Sequence, residues 1–230
     1  MKVIIQNKGF TLVELLLALS IFAAVMSTLF LTFNTIVSNV NPMKNGLDNA
    51  EAAANAVRRI SADLKSLCLT HEPAYVPPDN DGSVAPDRFR FVSSSTAIGS
   101  TSFSSLRFAS FEHLPMGTAD DDRIGIISYF AQQIPDGSVV LKRKDIAAIF
   151  YNEDDQDKTG RAPVVCERVT AFELEFIDQE GEVHSSWDSD ASDVDFSTPL
   201  AVRIKLKVGT ADHRDIFAAT VLLPTSRQKQ

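Results

Sequence analysis

A run of 24 apolar and small residues near the N-terminus, from Phe10 to Phe33, constrains the fold of this chain more than any other feature. It contains one charged residue, Glu14, and neither proline nor glycine. As an α-helix at ~1.5 Å per residue it would extend roughly 36 Å, which is enough to cross a hydrocarbon layer of ~30 Å. The run therefore predicts a membrane-spanning helix. A buried core helix is rarely apolar on every face over this length, and a cleaved secretory signal has a shorter apolar stretch of ~7–15 residues.

The charges around this run predict its orientation. Lys2 and Lys8 lie before it, and the next lysine is Lys44. Because positively charged flanks stay in the cytoplasm, the N-terminus is predicted to be cytoplasmic and the bulk of the chain extracytoplasmic. The whole chain carries 22 Lys+Arg against 30 Asp+Glu, a net charge of −8. This acidic balance argues against nucleic acid as a partner, since phosphate binding needs a concentrated positive surface.

Glu14 is the informative residue of the run, because a carboxylate inside a membrane segment costs about 2.5–3.5 kcal/mol and needs a compensating partner. A cut between Gly9 and Phe10 would create an amine at Phe10 and make Glu14 the fifth residue of the shortened chain. That amine, on the same or a neighbouring subunit, could form an ion pair with Glu14. The alternative is an acid in the first helical turn, which the helix dipole favours by under ~1 kcal/mol.

Residues 8–14 read Lys-Gly-Phe-Thr-Leu-Val-Glu and continue into the apolar run. This arrangement resembles the cleavage and methylation signature of type IV pilins and type II secretion pseudopilins. The resemblance implies that a prepilin peptidase cuts after Gly9 and N-methylates Phe10, and that Glu14 serves in filament assembly. It covers about the first 33 residues of the 230.

Behind the run, apolar residues recur every three or four positions from Leu47 to Leu67, and most charged residues fall off that stripe. The spacing predicts an amphipathic helix over about residues 44–69 that lays one face on a sheet. Pro42 lies between the two helical segments and either kinks one long helix or begins a second. Four prolines between His71 and Asp87 predict a loop.

Segments of alternating apolar and polar residues fill the rest of the chain and predict antiparallel sheet with one solvated face. Two of them flank the Pro-Asp-Gly turn at residues 135–137 and predict a β-hairpin. The predicted fold is α+β and pilin-like: a long N-terminal helix, with a membrane half and an amphipathic half, packs on an antiparallel β-sheet. Its predicted parts are a leader at 1-9, a transmembrane and assembly helix at 10-41, an amphipathic helix at 42-70 and a periplasmic β-rich domain at 71-230. Strands are predicted near 89–91, 103–109, 124–131, 138–143, 169–177, 200–208 and 216–223.

The soluble part contains several short stretches in a suggestive order: Ile-Ser-Tyr-Phe at 127–130, Leu-Lys-Arg at 141–143, Val169 with Phe172, Trp187, 199–206 and Leu-Leu-Pro at 222–224. This order resembles the J-type minor pseudopilin of type II secretion. The resemblance implies a structural, non-enzymatic subunit that lies with the I and K types at the tip of a periplasmic filament. The implied partners are other minor and major pseudopilins, prepilin peptidase and the inner membrane.

Two other functions stay open at this point. Minor pilins of the W type share the same outline, so a type IV pilus or competence system is one alternative. A signal-anchored periplasmic enzyme or binding protein is the other, and it would keep residues 1–9 and would not depend on Glu14. Against an enzyme, the four histidines lie in unrelated predicted loops or strand ends, away from any nucleophile pattern.

Two acidic stretches invite a comparison with calcium sites. Asp155 and Asp157 open a pattern like that of an EF-hand loop, but its twelfth position is Cys166 rather than a glutamate. Asp188 and Asp190 belong to a second acidic cluster behind Trp187. Solvated acidic loops are the competing interpretation, so no cofactor is expected and calcium is the alternative.

The two cysteines also leave two alternatives. Cys68 closes the predicted amphipathic helix, and Cys166 opens a predicted strand. In an oxidising compartment they could form a disulfide where the helix end meets that strand, and free buried thiols are the other outcome. Trp187 is predicted to anchor the core or a sheet.

Overall fold

The computed structural model describes residues 11–79, 83–113, 123–151, 162–209 and 214–227, without the side chains of residues 36–48. Leader residues 1–9 and Phe10 lie outside the described residues, as do Asp155 and Asp157. The chain divides into two compact units, Met1–Leu47 and Asp48–Gln230.

A single helix, α1, extends from Leu12 to Lys65. Pro42 lies inside it, so the alternative in which Pro42 begins a second helix is wrong. The part in the first unit is strongly apolar: the 24 residues Leu12–Thr35 have a mean hydropathy of 2.3 and none of them is buried. By length and composition this segment can cross a membrane.

The helical part of the second unit is amphipathic, as its spacing predicts, because Ala53, Ala56, Ile60 and Leu64 are all buried in the core. The helix ends at Lys65, four residues before the predicted end. Leu67–Cys68 instead forms a short strand that pairs with Ser110 and Ala109. The polar groups of this backbone are therefore satisfied by the sheet rather than by a last helical turn.

Two antiparallel sheets complete the second unit, which confirms the α+β class. The first sheet has the order β1-β3-β4-β5-β6, with β2 paired to β3, and the second has the order β10-β9-β7-β8. The described strands are β1 Leu67–Cys68, β2 Val92–Ile98, β3 Thr101–Ser110, β4 Gly125–Gln133, β5 Val139–Ala147, β6 Val164–Cys166, β7 Val169–Ile177, β8 Val183–His184, β9 Ala201–Gly209 and β10 Arg214–Leu222.

The predicted hairpin is confirmed as β4 and β5, whose residues pair from Gly125↔Ala147 to Gln133↔Val139. Gly137 makes the turn with a φ of 88°, a left-handed conformation that glycine adopts without strain. The side chain of Asp136 accepts hydrogen bonds from the backbone N–H and the hydroxyl of Ser138, at 2.8 and 2.7 Å. Local turn chemistry therefore fixes this register.

One strand prediction was wrong, and one long strand was not predicted. Residues 89–91 alternate but form no strand; Phe91 is instead fully buried, and its backbone O accepts a hydrogen bond from Ser189 N–H. The serine-rich β2 went unpredicted because its sequence has neither alternation nor large apolar residues. It forms because seven residues pair in continuous register with β3. Tertiary pairing outweighs the weak local preference.

A single large apolar cluster joins the buried face of α1 to the inner faces of both sheets. Phe176 lies near its centre, in edge-to-face contact with Phe91 at 5.8 Å between ring centroids. Trp187 contacts Phe176, and its indole N–H donates to the backbone O of Ser197 at 3.0 Å. The prediction that Trp187 anchors the core is confirmed.

Candidate functional site

The start of α1 is held by reciprocal hydrogen bonds between Thr11 and Glu14. The Glu14 carboxylate accepts the backbone N–H of Thr11 at 3.1 Å and its hydroxyl at 3.0 Å. The Glu14 N–H in turn donates to the Thr11 hydroxyl oxygen at 3.3 Å. This is a capping box, which satisfies helix N–H groups that have no partner within the helix. It places the one acid of the apolar run at the helix start.

The surface of the apolar segment is almost free of polar atoms. Its large apolar side chains between Leu12 and Phe33 are 48–76% exposed within the chain. Its hydroxyl groups donate to carbonyl oxygens three or four residues earlier, at distances of 2.8–2.9 Å, as seen at Ser20, Ser27, Thr28, Thr32 and Thr35. Groups satisfied within the helix need no water, so the segment suits a hydrocarbon environment.

In the second unit, Asp63 of α1 forms a buried ionic centre. Its side chain is fully buried and lies 2.8 Å from Arg143 Nε of β5 and 2.5 Å from the Tyr129 hydroxyl of β4. Arg59 lies one helical turn before it, 3.1 Å from the other carboxylate oxygen. The centre ties the last turns of the helix to two strands through charge-assisted hydrogen bonds.

The ionic centre continues along β5 of the first sheet through Asp145. Arg143 also donates to Asp145 at 2.7 Å, and Asp145 lies 2.6 Å from His113 Nδ1. Burial alone would lower the pKa of Arg143, but hydrogen bonds and charges from Asp63 and Asp145 outweigh burial and raise it. Burial, followed by the charge of Asp63, raises the pKa of Tyr129. Arg143 therefore stays charged and Tyr129 stays a neutral donor, which are the states of a structural clamp.

Sequence reasoning missed this clamp. Asp63 lies 66 residues from Tyr129 and 80 from Arg143, so no local pattern joins them. One signal was available, since Asp63 follows Ile60 by three residues and falls on the apolar stripe of the helix. An acid on a buried stripe needs a buried partner.

A second buried ion pair involves Asp190, one of the calcium candidates. Its carboxylate lies 3.0 Å from Arg227 and 3.1 Å from the Tyr75 hydroxyl, and it accepts the backbone N–H of Asp87 at 2.7 Å. The Arg227 guanidinium stacks over the Tyr75 ring at 3.4 Å. Asp188 lies closer to solvent, 4.0 Å from Arg90. A guanidinium, a phenol and an amide surround Asp190, so its environment is that of an ion pair and not of a solvated acidic loop.

A cluster that the sequence did not suggest lies where β7 turns into β8. Asp178 accepts the backbone N–H groups of Glu180 and Glu182 at 3.0 and 2.7 Å, and its other oxygen lies 3.1 Å from His184 Nε2. The hydrogen bond from His184 lowers the pKa of Asp178. Asp178, Glu182 and His184 have ligand atoms close enough to hold a metal ion. The same contacts are those of a hydrogen-bonded turn.

The two cysteines are both buried and free. They lie in β1 and β6, the outer strands of the first sheet, with β3, β4 and β5 between them. At ~4.8 Å per strand step, about 19 Å separates positions that a disulfide needs within ~7 Å. The Cys68–Cys166 disulfide is therefore excluded by the topology. Burial raises the pKa of Cys166 to about 11 and also raises that of Cys68, so both thiols stay protonated at neutral pH.

Comparison with known proteins identifies one feature. The prokaryotic N-terminal methylation motif matches residues 5–30, which include the predicted cleavage position and most of the apolar segment. None of the curated proteins matches the chain. The chain thus carries a type IV pilin-like N-terminal signal on a hydrophobic helix that leads into an α+β unit of two antiparallel sheets.

Proposed function

We propose that this chain is a minor pseudopilin, a structural subunit of a type II secretion pseudopilus that acts in protein export. The observation that carries the proposal is the methylation motif at residues 5–30, which coincides with a membrane-length helix. Behind that helix follows a β-rich unit, the combination found in pilin-like subunits. A tip position beside I- and K-type subunits rests on the J-type resemblance of the soluble part.

Three residues would carry processing and assembly. Prepilin peptidase would cut after Gly9 and methylate Phe10, which leaves Thr11 as the second residue of the mature chain. Glu14 would then pair with the amine of Phe10 on a neighbouring subunit. The capping box supports this role, because it holds the carboxylate at the start of the helix. Two helices in lipid gain an attraction from such a pair that apolar contacts alone do not supply.

The topology follows from the same helix. The chain would cross the inner membrane once, with its N-terminus in the cytoplasm and the unit Asp48–Gln230 in the periplasm. Other pseudopilins and prepilin peptidase would be its partners. No cofactor is proposed, because the roles above need helix contacts rather than bond chemistry.

A minor pilin of a type IV pilus or competence system is the second candidate, because the methylation motif is common to both classes. Neighbouring genes separate the two: export components support the pseudopilin, and retraction components support the pilus subunit.

The decisive test is mass spectrometry of the mature N-terminus, on protein purified from membranes of cells with an active prepilin peptidase. We expect a chain that begins at methylated Phe10, and a Gly9→Val variant that keeps its leader. A wild-type chain that still begins at Met1, in cells that process another pilin, would refute the filament function. It would leave a signal-anchored periplasmic enzyme or binding protein.

Glu14→Gln tests assembly separately from folding. We expect filament incorporation to fall at least about tenfold, since the variant removes the charge that pairs with the Phe10 amine. Glu51→Gln is the matched control, because Glu51 is an exposed acid on the same helix. Normal incorporation of Glu14→Gln would contradict the assembly role.

A further inference from the structure

Strand β10 forms an unusual edge of the second sheet. It pairs with β9 in continuous register over nine residues, Arg214–Leu222, and lies at the end of the strand order. Natural proteins protect such edges with proline, bulges, charges or short strands. After Arg214 and Asp215 at its start, the segment Ile216–Leu222 contains no proline, bulge or charge.

The other edges of the described sheets contrast with β10. The edge strands β1, β6 and β8 have two or three residues each. β2 is longer, but it has a polar sequence, Val-Ser-Ser-Ser-Thr-Ala-Ile, and the N–H of Ser93 is covered by the backbone O of Trp187. On β10, by comparison, Ile216 and Leu222 are exposed. The long edge with an apolar sequence is therefore β10.

Hydrogen bonds at both ends of β9 fix which groups of β10 face outward. Gly209 N–H donates to the backbone O of Arg168, just before β7, and Leu223 N–H donates to the backbone O of Leu200, just before β9. Because bonded and non-bonded positions alternate along an antiparallel pair, the odd-numbered residues of β10 bond to β9. The N–H and C=O groups of Ile216, Ala218, Thr220 and Leu222 therefore point to the open edge.

A groove of about 420 Å³ follows this edge, between β10 and the second-unit part of α1. Its wall on the strand side is Phe217, Ala218 and Ala219. Small side chains dominate the helix side, and the charged residues among those that line the groove are both basic. The helix side consists of Ala54, Val57, Arg58, Ser61, Ala62 and Lys65.

We propose that β10 accepts an extended segment of a neighbouring subunit as an additional strand of the second sheet. Backbone hydrogen bonds to the even-numbered residues would give affinity, and the groove would take every second side chain of the segment. The segment would alternate small apolar residues with acids, because Arg58 and Lys65 border the groove. That the segment comes from another filament subunit rests on the proposed function.

A second copy of this chain fits the edge poorly. Paired with itself, β10 would present a single acid, Asp215, beside Arg214, and Ile216–Leu222 would bring no acid to a groove whose charges are Arg58 and Lys65. Charge complementarity therefore favours a different subunit with an acidic strand.

The test uses the processed full chain in detergent micelles and a dilute, labelled nine-residue peptide in which valine alternates with glutamate. Fluorescence anisotropy measures binding, and hydrogen exchange measures protection of residues 214–222. We expect the glutamate peptide to protect this strand. We also expect it to bind at least about tenfold more tightly than a peptide of alternating valine and lysine.

Two proline variants form a matched pair. Ala218→Pro removes an outward N–H from the β10 edge and should weaken binding at least about tenfold. Ala97→Pro is the control, because Ala97 is an exposed alanine of the edge strand β2. The Ser93 N–H points away from β3, toward Trp187 O, and since N–H directions alternate along a strand, the Ala97 N–H points outward as well. It should leave binding unchanged. Equal binding by both variants, or no binding by the wild type, would overturn the proposal.

Arg58→Glu keeps the test decisive if Ala218→Pro fails to fold. Arg58 is exposed on the helix, and reversing its charge should shift the preference toward the lysine peptide. An unchanged preference for the glutamate peptide would overturn the proposal that the bound segment is acidic. The N-terminal mass of the same samples separates this inference from the proposed function. If the chain is processed but binds no peptide, strand addition at β10 is refuted and the proposed function is not. If the chain is unprocessed but binds the peptide, strand addition stands, and only the origin of the segment in another filament subunit is refuted.

Discussion

The two halves of helix α1 differ in where the acids Glu14 and Asp63 find partners, although hydroxyl groups of both halves, such as Ser27 and Ser61, donate to carbonyls of the same helix. Between Leu12 and Thr35, hydroxyl groups bond to carbonyls of the same helix, and Glu14 bonds to Thr11. Between Asp48 and Lys65, Asp63 bonds instead to strands that come 66 and 80 residues later in the sequence. The first half is complete as an isolated helix, whereas the second depends on the whole unit around it.

This difference shows what each half can tolerate. A helix with internal hydrogen bonds keeps its backbone structure when lipid or another helix replaces its surroundings. A helix with a buried charge is stable only while the partner of that charge is in place. Substitutions in each half test whether the two are as independent as their hydrogen bonds indicate.

Removal of the Asp63 carboxylate should have the largest effect. Asp63→Ala leaves Arg143 buried without its main counter-charge, and we expect it to lower the free energy of unfolding of the second unit by about 3–5 kcal/mol. Urea unfolding of the full chain in detergent measures this. Glu51→Ala, an exposed acid of the same helix, should stay within ~0.5 kcal/mol. A loss below ~1 kcal/mol for Asp63→Ala would mean that Arg143 finds another partner.

A charge in the first half should act on membrane insertion and not on folding. Leu19 and Leu222 are 65% and 69% exposed, so Leu19→Arg and Leu222→Arg are matched substitutions. We expect Leu19→Arg to cost about 2.5–3.5 kcal/mol of insertion free energy and to reduce the membrane fraction after alkaline extraction. Leu222→Arg should leave that fraction unchanged. Equal effects of both would contradict a membrane role confined to the first half.

Alkaline pH should destabilise the second unit through Cys166. Its folded pKa is about 11 against an ordinary 9.0, so the thiol adds stability below pH 9 that is lost as pH rises toward 11. Two pKa units correspond to at most about 2.7 kcal/mol. Unfolding at pH 8 and pH 10.5 should show a larger loss for the wild type than for Cys166→Ala. At pH 8 the native thiol should react about a hundredfold more slowly with iodoacetamide than the unfolded one. Parallel pH profiles for the two proteins would contradict this assignment.

Two serine substitutions should give the smallest and sharpest contrast. The Ser27 hydroxyl donates to Ala23 O within its own helix at 2.8 Å, so Ser27→Ala should leave insertion unchanged. Ser110 is fully buried; it donates to Asp63 O at 2.9 Å and accepts Glu112 N–H at 3.2 Å. Ser110→Ala should therefore lower the free energy of unfolding by about 1–2 kcal/mol, since the carbonyl O of the buried residue Asp63 loses its hydroxyl donor. Impaired insertion of Ser27→Ala, or an unchanged free energy of unfolding for Ser110→Ala, would contradict this difference.

The sequence predicts those parts of the fold that depend on neighbouring residues. The apolar run, the stripe around Ile60, the turn at Gly137 and the alternation of β7 all follow from spacing along the chain. The end of the helix was misplaced because Leu67 continues the helical stripe, yet pairs with Ser110 of β3. Nothing near Leu67 in the sequence reveals that pairing.

The candidate functional residues also fall into those set by neighbouring residues and those set by distant ones. Gly9, Phe10 and Glu14 form a local motif, which the matched methylation motif covers. Asp63 and Asp190, in contrast, take roles set by residues far away in the sequence. An acidic residue looks the same in a sequence whether its partner is water, calcium or a buried arginine, so the calcium comparison at Asp190 had no means to detect Arg227.

The position of Arg227 has a consequence for the order in which the protein is made. Asp190 is synthesised 37 residues before Arg227, and Tyr75 is synthesised 115 residues before Asp190. Arg227 also donates to the backbone O of Phe196 at 2.6 Å, and its own N–H donates to Thr198 at 2.8 Å. A helix with the length and composition of Leu12–Thr35 can enter a membrane early in translation, whereas the contacts of Asp190 with Arg227 form only after residue 227 has emerged. A stalled or truncated chain would thus carry the complete apolar helix while the buried Asp190 still lacked its arginine partner.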